Sequence, residues 1–474
     1  MSSHLAAAIC WLGIAGLFYL DRDKMARTSK ALWLPVLWLG IVGSRPISIW
    51  LGIEPPPNVN VQLEGSPVDR FVFQVLLAAG VIVLIGRRKK TRSLLKTSWP
   101  ALLYFTYCLA SVIWSPFPDV AFKRWIKAIG DLVMVLVVVT DPDPIAALRR
   151  LISRTGFVLL PLSVLFIRYF GDLGRGYTPD GGPMNTGVTT NKNTLGLITF
   201  VITLGTLWNV WTLFCRKDAP GRGRHLLAQG TLLAIGIVVL VMAQSATSIA
   251  CFAIGAALIL ATNLLVVRRS PGVVHALVLM MILGGGLTMF FGAGGSLVHA
   301  LGRQTNFTGR TEIWAAVLPA VPNSVVGAGF ESFWIGPWLN DVYHGLSQYM
   351  HVNEAHNGYI EVYLNLGWVG VGLLGVILLS GYLHAISVFR RDPSLGSLML
   401  AYIVVGSIYS VTEAGFRMLL PMWIFILLAF VAAGGIVSAG LSKAPEVLGE
   451  VPVHCLGDLR ASHPNALDQP WNDK

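Results

Sequence analysis

Long apolar runs recur from one end of the chain to the other, and they constrain the fold more than any other feature. Each run approaches the roughly 20 residues that a helix needs to cross a bilayer. The runs are continuous rather than alternating, which is typical of helices. Of the 474 residues, 54% are hydrophobic and only 12% are charged, about half the charge of a soluble domain. The predicted spans are residues 5–20, 31–53, 71–86, 98–115, 122–139, 151–169, 193–215, 226–243, 245–267, 273–296, 358–385, 396–412 and 417–440.

These runs predict an all-α fold, a polytopic transmembrane helical bundle of about 12 to 13 spans with one large external loop. The longest stretch between apolar runs separates the tenth span from the eleventh, and it is rich in polar and aromatic residues. We therefore divide the chain into an N-terminal transmembrane bundle (1–297), an external catalytic loop (298–357), C-terminal transmembrane helices (358–440) and a polar, disordered cytoplasmic tail (441–474).

Basic residues indicate the orientation of the bundle. The net charge is +11, and clusters of Lys and Arg fall on every second loop, for example 21–30, 87–96 and 216–224. Because basic loops remain in the cytoplasm, this pattern places the 298–357 loop outside. The cations are scattered through short loops, which is typical of topology signals and contacts with anionic lipid, so no nucleic-acid partner is predicted.

Several cations break this pattern, because they lie on the predicted external side at the start of a span. They are Arg124 and Lys127 in the fifth span, Lys192 before the seventh, Arg310 in the large loop and Arg417 at the last span. A cation near a helix N-terminus opposes the helix dipole, and a bound anion would reverse that cost. One interpretation is a lipid phosphate or pyrophosphate held by this group; the other is that the cations reach out to lipid headgroups.

The stretch from Thr308 to Gly370 carries the candidate catalytic groups. His356 lies where the loop meets the eleventh span, and an imidazole with its ordinary pKa near 6.5 can accept a proton at neutral pH. Asn357 and Glu361 are four residues apart and share a helix face, from which they could orient a sugar hydroxyl or the imidazole. The alternative is a structural, hydrogen-bonded histidine.

Two other chemistries are weaker predictions. His351, His356 and Glu354 could ligate zinc, but the sequence HVNEAH has no zinc-motif spacing, so we predict neither a metal nor a cofactor. A serine hydrolase is disfavoured because no G-x-S-x-G occurs. Trp314, on the face of Arg310 if that stretch is helical, could stack on a sugar or anchor at the membrane interface.

The order of short motifs resembles the O-antigen ligase and Wzy-type polymerase superfamily. The chain has G-R-x-x-x-W, G-x-G-F, H-N-x-x-I-E and L-G-x-x-G in its second half, and K-N-x-L-G and Q-S-A-T-S upstream. These motifs are Gly309 to Trp314, Gly327 to Phe330, His356 to Glu361, Leu366 to Gly370, Lys192 to Gly196 and Gln244 to Ser248. The resemblance covers about residues 110 to 430.

The resemblance implies a GT-C-like, metal-independent, inverting glycosyltransferase in the bacterial inner membrane, with its active site facing the periplasm. It implies an undecaprenyl-pyrophosphate-linked oligosaccharide as donor and an acceptor glycan, with the lipid bilayer as surroundings, and it allows other polysaccharide assembly proteins as partners. The loop arginine and histidine of the family correspond to Arg310 and His356. Glu361 joins them as a catalytic candidate. Candidate substrate-binding residues are Lys192, Asn193, Arg124, Lys127, Arg417, Ser245, Trp314 and Asn357.

One departure from the ligase pattern favours the polymerase branch of the family. Many ligases have S-R-G where this chain has Ser245-Ala246-Thr247, so the second ligase arginine is missing. This favours a polymerase of exopolysaccharide or O-antigen repeat units, with Lys192, Arg124 or Arg417 supplying the charge. The first alternative is a ligase that transfers glycan to lipid A-core or protein. The second is a transporter or flippase of the lipid-linked glycan, which would need polar residues at the membrane midplane.

Overall fold

The structure is a computed structural model, and it shows the predicted polytopic helical bundle. It describes residues 2–23, 27–53, 66–178, 181–216, 220–268, 270–291, 308–344, 346 and 352–440. The predicted tail 441–474, the first part of the external loop and His351 lie outside the described residues.

In the described residues up to Asn185, the chain forms nine α-helices and one small hairpin. A 3-10 turn at Lys30–Leu32 leads into the second helix, and another at Ser111–Trp114 follows the sixth. The elements are α1 (Ser3–Leu20), α2 (Trp33–Val42), α3 (Ile47–Trp50), α4 (Pro67–Gly86), α5 (Arg88–Thr97), α6 (Trp99–Ala110), α7 (Pro118–Val139), α8 (Pro144–Tyr169), α9 (Gly171–Gly174), β1 (Arg175–Tyr177) and β2 (Pro183–Asn185).

The second half contains the longest helix and the described part of the external loop. A 3-10 turn at Phe333–Ile335 lies within that loop. The helices are α10 (Lys192–Cys215), α11 (Arg222–Ala243), α12 (Ala246–Thr262), α13 (Leu265–Arg268), α14 (Pro271–Phe291), α15 (Thr308–Val317), α16 (Leu339–His344), α17 (Gly358–Phe389), α18 (Pro393–Tyr409) and α19 (Pro421–Gly440).

Local sequence explains where several of these helices begin. Asn191, Asp143 and Asp392 cap α10, α8 and α18, because their side-chain oxygens accept a backbone N–H from the first turn. Proline is the first residue of α7, α8, α18 and α19, where its missing N–H has no helical partner to lose.

Each predicted span coincides with helix in the structure, but the helices differ in length. Seven helices in the described part of the chain are long and apolar enough to cross a membrane: α1, α4, α8, α10, α11, α17 and α19. Five shorter apolar helical segments, at 30–42, 99–114, 246–262, 272–284 and 393–409, and the more charged α7 account for the other predicted spans.

Two segments differ from the prediction. Residues 87–96 were expected to be a loop, but Arg88–Thr97 is a helix, because Leu94 is buried while its basic residues remain exposed. The loop 170–192 contains a short antiparallel hairpin in an otherwise helical chain, with Gly176 opposite Met184.

The described part of the loop between α14 and α17 has a small core of its own. Ile313, Val317, Phe333 and Val342 are buried together, and Leu364 at the start of α17 belongs to the same cluster. The larger apolar core, formed mainly by α7, α8, α10 and α17–α19, lies beside it. The loop is therefore packed onto the start of α17, where the candidate catalytic histidine is found.

Candidate functional site

Glu413 is at the centre of a cluster of charged side chains. It lies in the connection between α18 and α19 and is 6% exposed. Its Oε1 accepts a hydrogen bond from Nη2 of Arg310 at 3.0 Å and lies 3.5 Å from Nδ2 of Asn193. Three segments far apart in the sequence therefore meet at this one carboxylate.

His356 lies between two carboxylates. Its Nδ1 is 3.0 Å from Oε1 of Glu354 and 3.6 Å from Oε2 of Glu413, close enough for ion pairs but not aligned as hydrogen bonds. Its side chain is about one third exposed, so the ring retains access to the solvent side of the site. The two carboxylates hold the imidazole without enclosing it.

The carboxylates change the protonation of His356. Burial lowers the pKa of the imidazole, but the neighbouring Glu354 and Glu413 outweigh burial and raise this pKa to about 9. Burial raises the pKa of Glu354, but His356 and the nearby Arg417 and Arg310 outweigh it, so that pKa is lowered. At neutral pH the free protein therefore holds His356 mostly as imidazolium, and the expectation of an ordinary pKa near 6.5 is wrong.

A second set of charges adjoins the first through Arg417. Its guanidinium lies 3.6 Å from Glu354 and 3.4 Å from Glu331. Arg124, near the start of α7, donates to the backbone carbonyl of Glu331. The contacts thus form one continuous chain from Arg310 through the glutamates to Arg124.

The positive and negative charges in this chain of contacts nearly cancel. Three arginines (124, 310 and 417) face three glutamates (331, 354 and 413), and a protonated His356 makes the sum +1. The cost of cations at helix starts is therefore already offset by glutamates. An incoming phosphate must exchange with a carboxylate rather than fill an empty site.

Glu361 is a supporting residue in this arrangement. It is 3% exposed, and its carboxylate accepts hydrogen bonds from Nε1 of Trp334 at 2.9 Å and from the backbone N–H of Ala355. The indole of Trp314 donates to the carbonyl of Ala355 at 2.8 Å. Both side chains make hydrogen bonds to the backbone of Ala355, directly before His356.

Asn357 caps the helix that follows His356. Its Oδ1 accepts the backbone N–H groups of Tyr359 and Ile360, and its Nδ2 donates to the carbonyl of Val411 at 3.0 Å. The last contact ties the start of α17 to the connection that carries Glu413. Asn357 therefore fixes the backbone next to His356 relative to the connection that carries Glu413.

Three further predicted site residues, Lys192, Ser245 and Lys127, lie in different surroundings. Lys192 is the first residue of α10, beside Asn193. Ser245 is buried, with its hydroxyl 3.0 Å from that of Ser248. Lys127 is not brought to Glu413; it lines a separate small pocket with Arg70 and Lys123.

Backbone strain is concentrated around the cluster. Glu331 and His356 have φ of 50° and 48°, and Leu419, two residues after Arg417, has φ of 54°. Side chains other than glycine rarely adopt this left-handed region, and each such residue costs of order 1–3 kcal/mol. The amide of Leu419 is held by the buried carboxylate of Asp131 at 2.8 Å. The fold thus maintains costly conformations at the residues that present the charges.

One group within the described residues has the spacing of a metal site. Ligand atoms of Glu354, His356 and Glu413 lie within 4.8 Å of one another. Both carboxylates, however, already have an arginine partner, Arg417 and Arg310 respectively. A cation would have to compete with two guanidinium groups for these carboxylates.

Glu413 was not predicted from the sequence. It lies in the segment SVTEAGFR, apart from every motif quoted for the family. One feature of the sequence could have indicated Glu413: it is an acidic residue at the junction of two apolar runs. Ionisable groups in or beside a membrane span cost free energy and usually have a partner.

The fold is that of a polytopic helical membrane protein, and a cluster of paired arginines and glutamates lies at one end of its helices. Residues 231–375 match the family model of the O-antigen ligases, which confirms the predicted resemblance to the O-antigen ligase and Wzy-type polymerase superfamily. The matched segment contains Ser245, Arg310, His356 and Glu361, whereas Lys192, Glu413 and Arg417 lie outside it. No curated protein matches the chain.

Proposed function

We propose that this protein polymerises exopolysaccharide or O-antigen repeat units on the periplasmic face of the inner membrane. Its donor would be an oligosaccharide on undecaprenyl pyrophosphate and its acceptor a sugar hydroxyl. The observation that carries the proposal is the convergence of Arg310, Arg417 and His356 on the buried Glu413 and Glu331 and the part-exposed Glu354. The match to the O-antigen ligase family supports a lipid-linked glycan as substrate.

The arginines would bind the pyrophosphate. A guanidinium binds phosphate oxygens through two parallel N–H bonds, as it does a carboxylate. The pyrophosphate would take the place of Glu413 on Arg310. A site with little water strengthens these interactions as charge develops on the leaving group.

His356 would act as the general base. With Nδ1 only 3.0 Å from the Glu354 carboxylate, Nε2 of the neutral ring would be the atom that takes the proton of the attacking hydroxyl. The hydroxyl oxygen forms the bond to the anomeric carbon while the bond to the pyrophosphate oxygen breaks, and undecaprenyl pyrophosphate leaves with the electron pair. This single displacement inverts the anomeric configuration. The raised pKa makes His356 a stronger base, which is available once it has lost its resting proton.

The polymerase is favoured over the ligase by the Q-S-A-T-S segment. Its Ser245 is buried next to Gly196 and Ser248 and carries no charge, while Arg417 and Arg124 supply cations from other helices. The ligase remains the alternative. A transporter is less favoured, because the described charged cluster lies at helix starts rather than at mid-span.

The decisive experiment examines the glycan made by cells that lack the protein. Single repeat units on the final acceptor, without longer chains, would support a polymerase. Full-length chains that accumulate on the lipid carrier would instead indicate a ligase and overturn the proposal.

Complementation with variants of this gene tests the phosphate site. We expect Arg310→Lys to lose most of the polymer at normal protein level, because lysine keeps the charge but not the bidentate geometry. Arg168→Lys, an exposed arginine near the end of α8, is the matched control and should restore polymer fully. Polymer at the wild-type level in Arg310→Ala would remove Arg310 from the site.

A further inference from the structure

A cavity of about 440 Å³ lies at the opposite end of the helices from the charged cluster. Its lining comes from α5, from the end of α7, from the beginnings of α8 and α18 and from the second half of α19. The lining residues are Lys90, Ser93, Leu94, Val138, Val139, Pro144, Ile145, Leu148, Leu395, Met399, Leu428, Ala432, Gly435, Ile436, Ser438 and Ala439.

The wall of this cavity is mainly apolar, and its polar residues are Lys90, Ser93 and Ser438. Val138, Leu148, Met399 and Leu428 are among the apolar residues that line it, and Lys90 is the one charged side chain among the described residues that line it. An apolar cavity does not hold water well and favours a hydrocarbon occupant. Its size and position near the helix ends suit an acyl chain.

Lys90 connects the cavity to a basic pocket. This second pocket has a volume of about 360 Å³ and is lined by Arg87, Arg88, Lys89 and Lys90 together with Gly86, Thr140 and Pro142. The described residues that line the two pockets include no Asp or Glu. Asp141, the nearest acidic residue in sequence, is bound by Arg87 at 3.4 Å and by the backbone and hydroxyl of Ser29. Arg87 is thus paired with Asp141, while Nζ of Lys90 donates to the uncharged backbone carbonyl of Asp141 at 3.3 Å. One carboxylate beside four cations leaves the pocket with an excess of positive charge.

We propose that the two pockets together form a binding site for one anionic diacyl phospholipid. One acyl chain lies in the apolar cavity, and the phosphate lies in the basic pocket beside Lys90. The helix α5, with Leu94 buried and its cations exposed, then rests on the membrane surface as an amphipathic helix does. This site is separate from the proposed glycan chemistry, and it would anchor α5 against the end of α19.

Native mass spectrometry of the purified full-length protein tests this site. The probe is phosphatidylglycerol, with phosphatidylcholine of the same chains as the uncharged comparison. We expect one tightly bound phosphatidylglycerol, and Lys90→Gln should weaken it about fivefold, the usual contribution of one lysine to anionic lipid binding. Arg92→Gln is the matched control: it removes the same charge from an exposed position on α5 that lines neither pocket.

A second variant tests the acyl-chain cavity without changing charge. Ala432→Phe fills the cavity from α19 and should weaken phosphatidylglycerol binding at least as strongly as Lys90→Gln. Equal weakening by Lys90→Gln and Arg92→Gln would show general surface attraction and overturn the site. Equal affinity for the two lipids, or unchanged binding in a folded Ala432→Phe protein, would also overturn it.

Discussion

At the scale of single residues, His356 has the clearest consequence for activity. If it is the base, only its neutral form reacts, and the carboxylates of Glu354 and Glu413 raise its pKa to about 9. We therefore expect kcat/KM to rise with pH up to about 9 rather than to level off above 6.5. The measurement is initial rate of the purified protein with lipid-linked donor across this pH range.

Substitution separates a base from a structural histidine. His356→Ala should lower turnover by roughly 10²–10⁴ and abolish the pH dependence, while donor binding changes little. His356→Gln should not restore activity, because an amide cannot take the proton. A chelator should leave the rate unchanged, and loss of activity with EDTA would favour a metal at Glu354, His356 and Glu413 instead. Wild-type turnover in His356→Ala would exclude the histidine from the mechanism.

Glu413 gives a second residue-scale prediction. Glu413→Gln removes one of the two carboxylates beside His356, so the rising limb of the pH profile should move to lower pH. It also frees Arg310 from its carboxylate partner, so the KM for donor should fall at neutral pH. Glu312→Gln, an exposed glutamate on the same helix as Arg310, is the control. An unmoved pH limb would mean that Glu413 does not set the protonation of His356.

At the scale of secondary-structure elements, a break in α17 joins the external loop to the bundle. Gly367 has φ of 63° inside the helix, which turns the carbonyls of Leu364 and Asn365 out of the helical ladder. The amides of Ala328 and Gly329 donate to these two carbonyls at 3.0 and 2.9 Å. The G-x-G-F motif therefore makes backbone hydrogen bonds to the two residues directly before the L-G-x-x-G motif.

This contact predicts an asymmetry between two glycines of α17. A Cβ at Gly367 would meet the carbonyl oxygen of Val325 at 2.2 Å, and its φ disfavours any side chain, so Gly367→Ala should destabilise by about 2 kcal/mol or more. Gly372→Ala meets no atom within 4 Å and should stabilise by up to about 1 kcal/mol. Thermal unfolding and turnover of both variants provide the check. Equal stability of the two would contradict the packing role of Gly367.

The sequence predicted elements better than it predicted contacts. Apolar runs of helical length identify spans because a bilayer requires a long apolar segment, and each predicted span is helical in the structure. The sequence of α5 did not predict a helix, because the segment contains many basic residues and too few apolar ones to show a helical period. Motifs located Arg310 and His356. Glu413 contacts both residues but is more than 50 positions from either in the sequence, so no local sequence pattern indicates that they are close in space.

At the scale of the whole molecule, the two ends of the bundle differ in the surroundings of their cations. The cations of the candidate site lie at or near helix starts and are matched by glutamates, as for Arg417 with Glu331. The cations of α5 at the other end are exposed. The first arrangement suits a ligand that exchanges with carboxylates, and the second suits a membrane surface rich in anionic lipid.

Orientation in the membrane is the prediction on which the site of glycan assembly depends. The positive-inside rule places α5 in the cytoplasm and the described loop between α15 and α17 in the periplasm. In intact cells, a membrane-impermeant thiol reagent should therefore label Ser324→Cys but not Ser93→Cys; both positions are exposed in the structure. The parent chain, which retains its native cysteines, corrects for background, and permeabilised cells should show labelling at both positions. Labelling of Ser93→Cys alone in intact cells would invert the protein, place Arg310 and His356 in the cytoplasm and exclude a periplasmic polymerase.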